Sequence, residues 1–201
     1  TLCSVMNSKA TGEKTTVNFE HEYSILLNDK NGRDAASSIL TTVRNENNIQ
    51  LALAPYYYFT SSIYKGECTG SRIAMMTSKN SDTPLYLAKI DGKQVCELVE
   101  KYLTGSDENF AVTNKYELPI ASGMKMIVDH EKNGFSLKDI TINEKKTEKK
   151  TEKEKEYSIL LADTTMSILK KLYPECEIAQ LKDITLSSAW TTFMSKGKQP
   201  S

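Results

Sequence analysis

Hydrophobic and polar positions follow their most regular pattern in residues 83–143, and this segment predicts the centre of the fold. Residues 85–90, after Pro84, have the composition of a β-strand. A helix over residues 93–103 follows, with Asp91 and Gln94 at the spacing of a capping box and Gly105 at its end. Its apolar stripe recurs at i, i+3, i+4 and i+7: Val95, Leu98, Val99 and Tyr102.

Two further strands complete the pattern of this segment. Residues 117–129 and 135–142 alternate in polarity, and residues 130–134 between them have turn composition. We expect the apolar side chains of these elements to share one core beneath a mixed sheet: Tyr86, Val95, Leu98, Val99, Met126 and Val128.

The sequence also predicts shorter elements on either side of the central segment. Helical spacing predicts helices at residues 34–44, 162–173 and 186–194, the last with Thr185 as a cap. Strand composition predicts strands at 15–20, 23–27 and 157–161. The resulting fold class is α+β, a mixed β-sheet packed with helices.

Composition and charge argue against two classes of function, nucleic-acid binding through excess positive charge and membrane spanning. The 201 residues carry 26 Lys plus Arg and 26 Asp plus Glu, so the chain lacks the excess positive charge that nucleic-acid binding requires. No run of about 18 apolar residues is present for a membrane span. The chain begins with Thr1, not Met, and we expect it to be a segment of a longer protein.

Charge is concentrated in residues 144–156, which are almost entirely Lys and Glu. Like charges recur there at i and i+4, a spacing that disfavours a helix, so we interpret the run as a solvated linker between two strands. The predicted organisation is an N-terminal extension or pair of strands at 1–31, followed by one domain at 32–201 that contains this linker.

The inventory of reactive residues predicts no catalytic residue and no metal site in this chain. Its two histidines, His21 and His130, lie in unlike contexts, and its four cysteines form no C-x-x-C pair. Ser122 precedes Gly123 outside any G-x-S-x-G motif, and no glycine-rich phosphate loop is present.

Four consecutive aromatic residues follow Pro55: Tyr56, Tyr57, Tyr58 and Phe59. Such a run can supply a stacking platform for a base or sugar, or it can pack large side chains in the core, which is the more common role. Asn80 and Asp82 lie in a polar stretch and could bond a polar ligand, although both are also ordinary turn formers.

The order of these elements resembles the C-terminal domain of the 5'-nucleotidase and UDP-sugar hydrolase family. The resemblance lies in residues 85–95 with the long helix after them, in the Ser122-Gly123 strand that ends at Asp129, and in the Ile140-x-Ile142 strand. More loosely, it covers most of residues 32–142, and it implies that residues 49–54 are the first strand of that domain.

The resemblance implies a substrate-binding domain that accompanies a separate metallophosphoesterase domain. Divalent metal is then expected only in that separate domain, and a nucleoside or nucleotide is the implied ligand, with Tyr56, Tyr57, Tyr58, Asn80 and Asp82 as candidate binding residues. The family's Asn-Gly-Gly-x-Arg, Pro-Phe-Gly-Asn and Gly-Gly-Asp-Gly signatures are missing from this sequence.

Two functional hypotheses follow from the resemblance. The chain is either the non-catalytic C-terminal domain of a 5'-nucleotidase-like phosphoesterase with degenerate nucleotide-binding motifs, or a structural or protein-interaction module without a nucleotide ligand. The family resemblance implies an extracellular or cell-envelope location, in a bacterial protein, for either. The chain alone is not expected to be an enzyme, whereas its parent protein would be a metal-dependent nucleotide phosphohydrolase under the first hypothesis.

Overall fold

A mixed five-stranded β-sheet with helices on both faces forms the centre of the protein. The structure is a computed structural model that describes residues 16–19, 30–59, 65–69, 84–105, 112–142, 145–146, 155–186 and 188. Its elements are β1 (Thr16–Phe19), α1 (Lys30–Glu46), β2 (Leu51–Pro55), β3 (Gly66–Thr69), β4 (Pro84–Asp91), α2 (Gly92–Thr104), β5 (Pro119–Ser122), β6 (Met124–Glu131), β7 (Gly134–Ile142), β8 (Lys145–Lys146), β9 (Glu156–Leu161), α3 (Asp163–Leu172) and β10 (Ile178–Thr185). Two 3-10 turns lie at Tyr56–Tyr58 and Lys115–Glu117.

The strand order in the central sheet is β10-β4-β9-β2-β5. The neighbours β2 and β9 run parallel, while the other three pairs are antiparallel. A separate antiparallel sheet has the order β6-β7-β8, and β1 pairs with β3 in a small two-stranded sheet. The expected α+β class with a mixed sheet is therefore confirmed.

Both faces of the central sheet are buried, as β2 shows most clearly. Its alternate residues Ala52 and Ala54 face α1, whereas Leu51 and Leu53 face α2 and α3. We call these two clusters the α1-side core and the α2-side core. A strand whose two faces are both buried carries no solvent-exposed polar side chains, which explains why β2 is a continuous apolar run.

Helix α2 lies between the central sheet and the second sheet. Its buried residues Val95, Leu98 and Val99 belong to the same α2-side core as Leu137 and Ile140 of β7, with Tyr86, Met126 and Val128 packed against it. The predicted shared core is thus confirmed. So is the predicted capping box, because Asp91 Oδ1 accepts from the Gln94 amide at 2.8 Å and Gln94 Oε1 accepts from the Asp91 amide at 2.9 Å.

Helix α1 protects the outer edge of the sheet. Strand β5 is the edge strand beside β2, and its carbonyl groups that face away from β2 accept hydrogen bonds from α1. The Arg33 guanidinium donates to the Pro119 carbonyl at 2.8 Å, and the Ser37 hydroxyl donates to the Ala121 carbonyl at 3.1 Å. Occupied carbonyl groups offer less of a template for pairing with another chain.

One predicted element is wrong in its extent, and three observed strands, β3, β8 and β10, were not predicted. The predicted strand at 117–129 is divided into β5 and β6, because Gly123 adopts a left-handed backbone with φ +76° that interrupts the extended chain. The alternation of β10 is broken, since its register against β4 shifts between Gln180 and Thr185, so apolar positions do not keep one parity.

Several other predictions fall partly or wholly outside the described residues. The predicted strand at 23–27 and most of the predicted helix at 186–194 lie outside them, although Thr185 and Ser188 exchange the hydrogen bonds expected at its start, at 2.9 and 3.0 Å. Within the predicted linker at 144–156, Lys145–Lys146 form β8 against β7. The linker and the domain boundaries remain predictions.

Candidate functional site

The carboxyl ends of the two parallel strands define the best candidate for a site. Strands β2 and β9 are in register from Leu51 beside Ile159 to Leu53 beside Leu161, so they end at the same edge of the sheet. After β2 the chain enters the α1-side core through Tyr56 and Tyr58, whereas after β9 it enters α3 on the other face. In open sheets, ligands bind where neighbouring parallel strands lead to opposite faces. We call residues 56–58 and 163–165 the β2–β9 edge.

The three predicted tyrosines lie at this edge with different exposure. Tyr56 and Tyr58 are 4% and 3% exposed, so neither ring offers a face to a ligand. Tyr57 is half-buried and meets Tyr58 edge to face, with ring centroids 5.2 Å apart and an interplanar angle of 89°. Asn80 and Asp82 lie outside the described residues. Ligand binding by these five residues remains a prediction.

Threonines at the start of α3 hold the tyrosines and β2 in place. The Tyr57 hydroxyl is 3.0 Å from Thr164 Oγ1, and the Tyr58 hydroxyl is 3.4 Å from the same atom. The hydroxyl of Thr165, which is fully buried, lies 3.2 Å from the Leu53 carbonyl oxygen of β2. Burial raises the pKa of Tyr57. The two parallel strands are therefore joined at their ends through side chains of α3.

Arg33 of α1 contacts the ring of Tyr56, the first of the three tyrosines. Its guanidinium carbon is 5.2 Å from the centre of the Tyr56 ring, a cation–π contact, and it also donates to the Pro119 carbonyl. Burial lowers the pKa of Arg33, and the nearby Tyr56 and Tyr102 oppose that effect. The charge of Arg33 therefore lies inside the packing that supports Tyr56.

The 3-10 turn at Lys115–Glu117 contacts the turn at Tyr56–Tyr58, and Tyr102 of α2 bonds to it. The Tyr102 hydroxyl donates to the Glu117 carbonyl at 3.1 Å, and burial strongly raises the pKa of Tyr102. The Glu117 carboxylate accepts from the Thr113 amide at 2.9 Å and so orders the 3-10 turn at Lys115–Glu117. Sequence reasoning did not single out Arg33, Glu117 or Thr164, because no local pattern marks residues that meet only through the fold.

An open cleft of about 550 Å³ lies elsewhere, between α2, β7 and the end of α3. Its walls include Glu97, Lys101 and Leu137, and none of its lining residues belongs to the β2–β9 edge. The Tyr173 hydroxyl donates to Glu97, and Lys93 Nζ is 3.2 Å from Glu97 Oε1. These partners, the tyrosine first, lower the pKa of Glu97. The carboxylate therefore already pairs within the protein.

Ser122 and Gly123, which form part of the family resemblance, hold the start of β2 and the end of α1 together. Ser122 is 4% exposed, and its hydroxyl is 2.7 Å from Thr41 Oγ1 and accepts from Arg44 Nε at 3.0 Å. Arg44 Nη1 also donates to the Gln50 carbonyl at 2.8 Å. This Ser-Gly pair therefore performs a structural task in the described part of the chain.

Metal-binding residues do not cluster in the described ranges. Across these residues, no group of three or more His, Cys, Asp or Glu side chains is placed to hold a metal ion. The His130 ring packs against Phe135, with centroids 4.9 Å apart, and neither Cys96 nor Cys176 forms a disulfide bond within the described residues. In the same ranges, no helix is both long enough and apolar enough to cross a membrane.

Comparison with known proteins identifies the fold. No protein-family model matches the sequence, and a search of curated proteins finds no match. Among solved structures, a 5'-nucleotidase precursor from Thermus thermophilus is 13% identical with a TM-score of 0.65, over 97% of this chain and 39% of that chain. The NAD nucleotidase of Haemophilus influenzae is 15% identical with a TM-score of 0.63, over 92% of this chain and 35% of that chain.

A third similar structure carries a different activity in its name. The sulfate thiohydrolase of Thermus thermophilus, solved in complex with glycerol, is 10% identical with a TM-score of 0.56, over 81% of this chain and 29% of that chain. One fold can carry several chemistries, so the likeness does not decide the substrate. This chain therefore has the fold of one part of the 5'-nucleotidases, and it spans 39% and 35% of the two nucleotidases compared.

Proposed function

We propose that this chain is the non-catalytic, substrate-binding type C-terminal domain of a 5'-nucleotidase-like phosphoesterase, with degenerate nucleotide-binding motifs. The observation that carries the proposal is the extent of the structural match. It covers 97% of this chain and only 39% of the Thermus nucleotidase, as expected when one domain is compared with a multidomain protein.

The absence of catalysis in this proposal rests on the sequence. Hydrolysis of a phosphate ester by a pair of metal ions requires several ligands that hold both ions and activate a water molecule. The chain has two histidines and neither a D-x-H nor a G-N-H-E motif. The divalent metal would be held by a separate metallophosphoesterase domain of the parent protein, in an extracellular or cell-envelope location.

Weak nucleotide binding is the second part of the proposal. Stacking of a base on an aromatic ring contributes about 1 to 3 kcal/mol per base. Tyr56 and Tyr58 are buried at the β2–β9 edge, so within the described residues of this edge Tyr57 alone has ring surface for a ligand. One half-buried ring supports much weaker binding than a sandwich between two.

A structural or protein-interaction module is the second candidate, and the same burial favours it. The tyrosine rings pack on Arg33 and against one another, which accounts for them without any ligand. A nucleotide-binding measurement separates the two candidates.

Two measurements test the proposal: a phosphate-release assay with AMP and binding calorimetry with adenosine and AMP. We expect no release of phosphate from AMP with or without added divalent metal, and binding no tighter than about millimolar. Tyr57→Ala should abolish whatever binding is present, while Tyr173→Ala, a half-buried tyrosine beside the cleft, should leave it unchanged. Phosphate release would refute the absence of catalysis. Micromolar AMP binding that is lost in Tyr57→Ala and kept in Tyr173→Ala would refute degenerate motifs.

The sequence of the parent chain tests the domain assignment. We expect a segment with D-x-H and G-N-H-E motifs in the same protein. A complete parent chain without these motifs would exclude the phosphoesterase and leave the interaction module.

A further inference from the structure

Tyr57 and Tyr58 at the β2–β9 edge both contact the hydroxyl group of Thr164. Loss of this contact would have different consequences for the hydroxyl groups of the two tyrosines. Thr164 Oγ1 has one proton and two lone pairs, so it can bond to Tyr57 at 3.0 Å and to Tyr58 at 3.4 Å at the same time. Tyr58 is 3% exposed, and without Thr164 its hydroxyl would be buried where water cannot replace the partner. Tyr57 is half-buried, so water can take over its hydrogen bond.

The Tyr57–Thr164 contact also spans the ends of the two parallel strands. Tyr57 follows β2 and Thr164 follows β9, and the chain continues to opposite faces of the sheet from these two points. The contact therefore closes the place where the general rule for open sheets puts a ligand.

We propose that Tyr57 is a gate at the β2–β9 edge, held shut by Thr164, and that its outward rotation exposes the Thr164 hydroxyl to a neutral, planar ligand that carries hydroxyl groups. The ligand class rests on the proposed substrate-binding role, whereas the gate itself does not. Tyr58 stays in place as the fixed wall, because it remains packed in the α1-side core.

Charge at the edge determines the neutral character of the ligand. Asp163 directly precedes Thr164 in the first turn of α3, so a phosphate placed beside the Thr164 hydroxyl would meet the Asp163 carboxylate. Arg33 is engaged with the Tyr56 ring and the Pro119 carbonyl, on the inner side of the packing. An anionic nucleotide is therefore less suited to this edge than a neutral nucleoside, which has a planar base and a sugar with hydroxyl groups.

A closed gate also lowers the apparent affinity. A ligand that binds only the open form binds more weakly in proportion to the fraction of molecules that are open. The gate thus gives a physical reason for the weak binding expected of the wild-type chain, in addition to the single available ring.

Chemical nitration tests the gate without any ligand. Thr164→Val removes the hydroxyl, whereas Thr164→Ser keeps it and serves as the control. Because one hydrogen bond is lost, nitration of Tyr57 in the valine variant should rise about three- to tenfold, measured by peptide mass spectrometry, with Tyr102 unchanged. Equal nitration of Tyr57 in all three proteins would overturn the gate. A parallel rise at Tyr102 would also overturn it, since that would report general loosening of the fold.

Ligand binding tests the second half of the proposal. Tyr57→Phe keeps the ring and the Thr164 hydroxyl but removes the bond that shuts the gate. We expect it to bind adenosine about three- to tenfold more tightly than the wild type, without a gain for AMP. An equal gain for both probes would overturn the neutral ligand class, and no gain for adenosine would overturn a nucleoside-like ligand at this edge. Tight AMP binding by the wild type would count against the proposed function, while the nitration result would still decide the gate.

Discussion

At the scale of single residues, the stability of this fold depends on backbone positions that only one residue type can occupy. Gly123 separates β5 from β6 at φ +76°, and a Cβ atom built there would lie 2.1 Å from the Gln50 carbonyl oxygen. Gly66 also has a positive φ, of +103°, but its Cβ would meet nothing within 4 Å. The two glycines therefore separate backbone strain from steric overlap.

The pair Gly123→Ala and Gly66→Ala tests this distinction. Backbone strain alone should cost Gly66→Ala about 1 to 2 kcal/mol. Gly123→Ala should cost about 3 kcal/mol or more, because the strain is joined by overlap with a backbone atom that cannot move without shifting β2. Urea unfolding gives both free energies. Equal losses would show that the start of β2 yields easily.

The Glu97–Tyr173 hydrogen bond gives a prediction about pH. The pKa of Glu97 is lowered, so its stabilising effect is present above the ordinary Glu pKa of about 4.3 and is lost as the pH falls through the lowered value. The pKa of Tyr173 is raised, first by burial and then by Glu97, so its contribution is present below the ordinary Tyr pKa of about 10 and is lost as the pH rises above it.

Tyr173→Phe should therefore lower the free energy of unfolding mainly in the range between these two limits. Chemical unfolding of both proteins from about pH 3 to pH 10 measures the difference. Tyr57→Phe is the matched control, because its hydroxyl bonds to a neutral threonine. A difference for Tyr173→Phe that stays constant as the pH falls below about 4 would contradict the role of the ionised Glu97.

At the scale of elements, α2 and α3 begin in different ways. Helix α2 starts with the reciprocal Asp91–Gln94 capping box. Helix α3 follows Ala162, which has no side-chain cap, and instead its first turn is tied to the Leu53 carbonyl of β2 through the Ala162 amide at 3.4 Å and the Thr165 hydroxyl. The first start is local in sequence and the second exists only in the folded protein.

Removing the local cap should have a moderate cost. Asp91→Ala should lower stability by about 0.5 to 2 kcal/mol, whereas Asp91→Asn, which keeps an acceptor oxygen, should change it little. Thermal or urea unfolding measures both. If the asparagine variant loses as much as the alanine variant, then the charge at Asp91 matters and the capping hydrogen bond does not.

At the scale of the whole molecule, the α2-side core joins the two larger sheets. It contains residues of β2, β4 and β9 on one side of α2 and residues of β7 on the other. We expect the two sheets to unfold together, because in the described residues both depend on this one shared apolar layer.

Leu98→Ala tests this joint core. Leu98 is fully buried, so the variant should lose about 2 to 5 kcal/mol, with coincident transitions by far- and near-ultraviolet circular dichroism. Lys93→Ala, on the exposed side of the same helix, should lose less than about 1 kcal/mol together with its surface ion pair to Glu97. A loss below about 0.5 kcal/mol for Leu98→Ala, or separate transitions, would show that α2 does not unite the sheets.

Elements stabilised by their own sequence were predictable. The capping box and apolar stripe of α2 are encoded within fourteen consecutive residues, 91–104, and the structure confirms both. Apolar runs likewise predicted β4 and β9 to within a residue or two. In these segments local hydrogen bonding and burial favour the same conformation, so the chain pattern is sufficient.

The tertiary structure decided the features that depend on contacts between distant residues. The break at Gly123 depends on the close approach of the Gln50 carbonyl, and β10 depends on the open edge of β4. The sequence by itself identified the tyrosine run as the feature most able to bind a ligand. Only the fold buried Tyr56 and Tyr58 and brought Tyr57 to Thr164, 107 positions away, because contacts between distant residues depend on strand order and no local pattern records it.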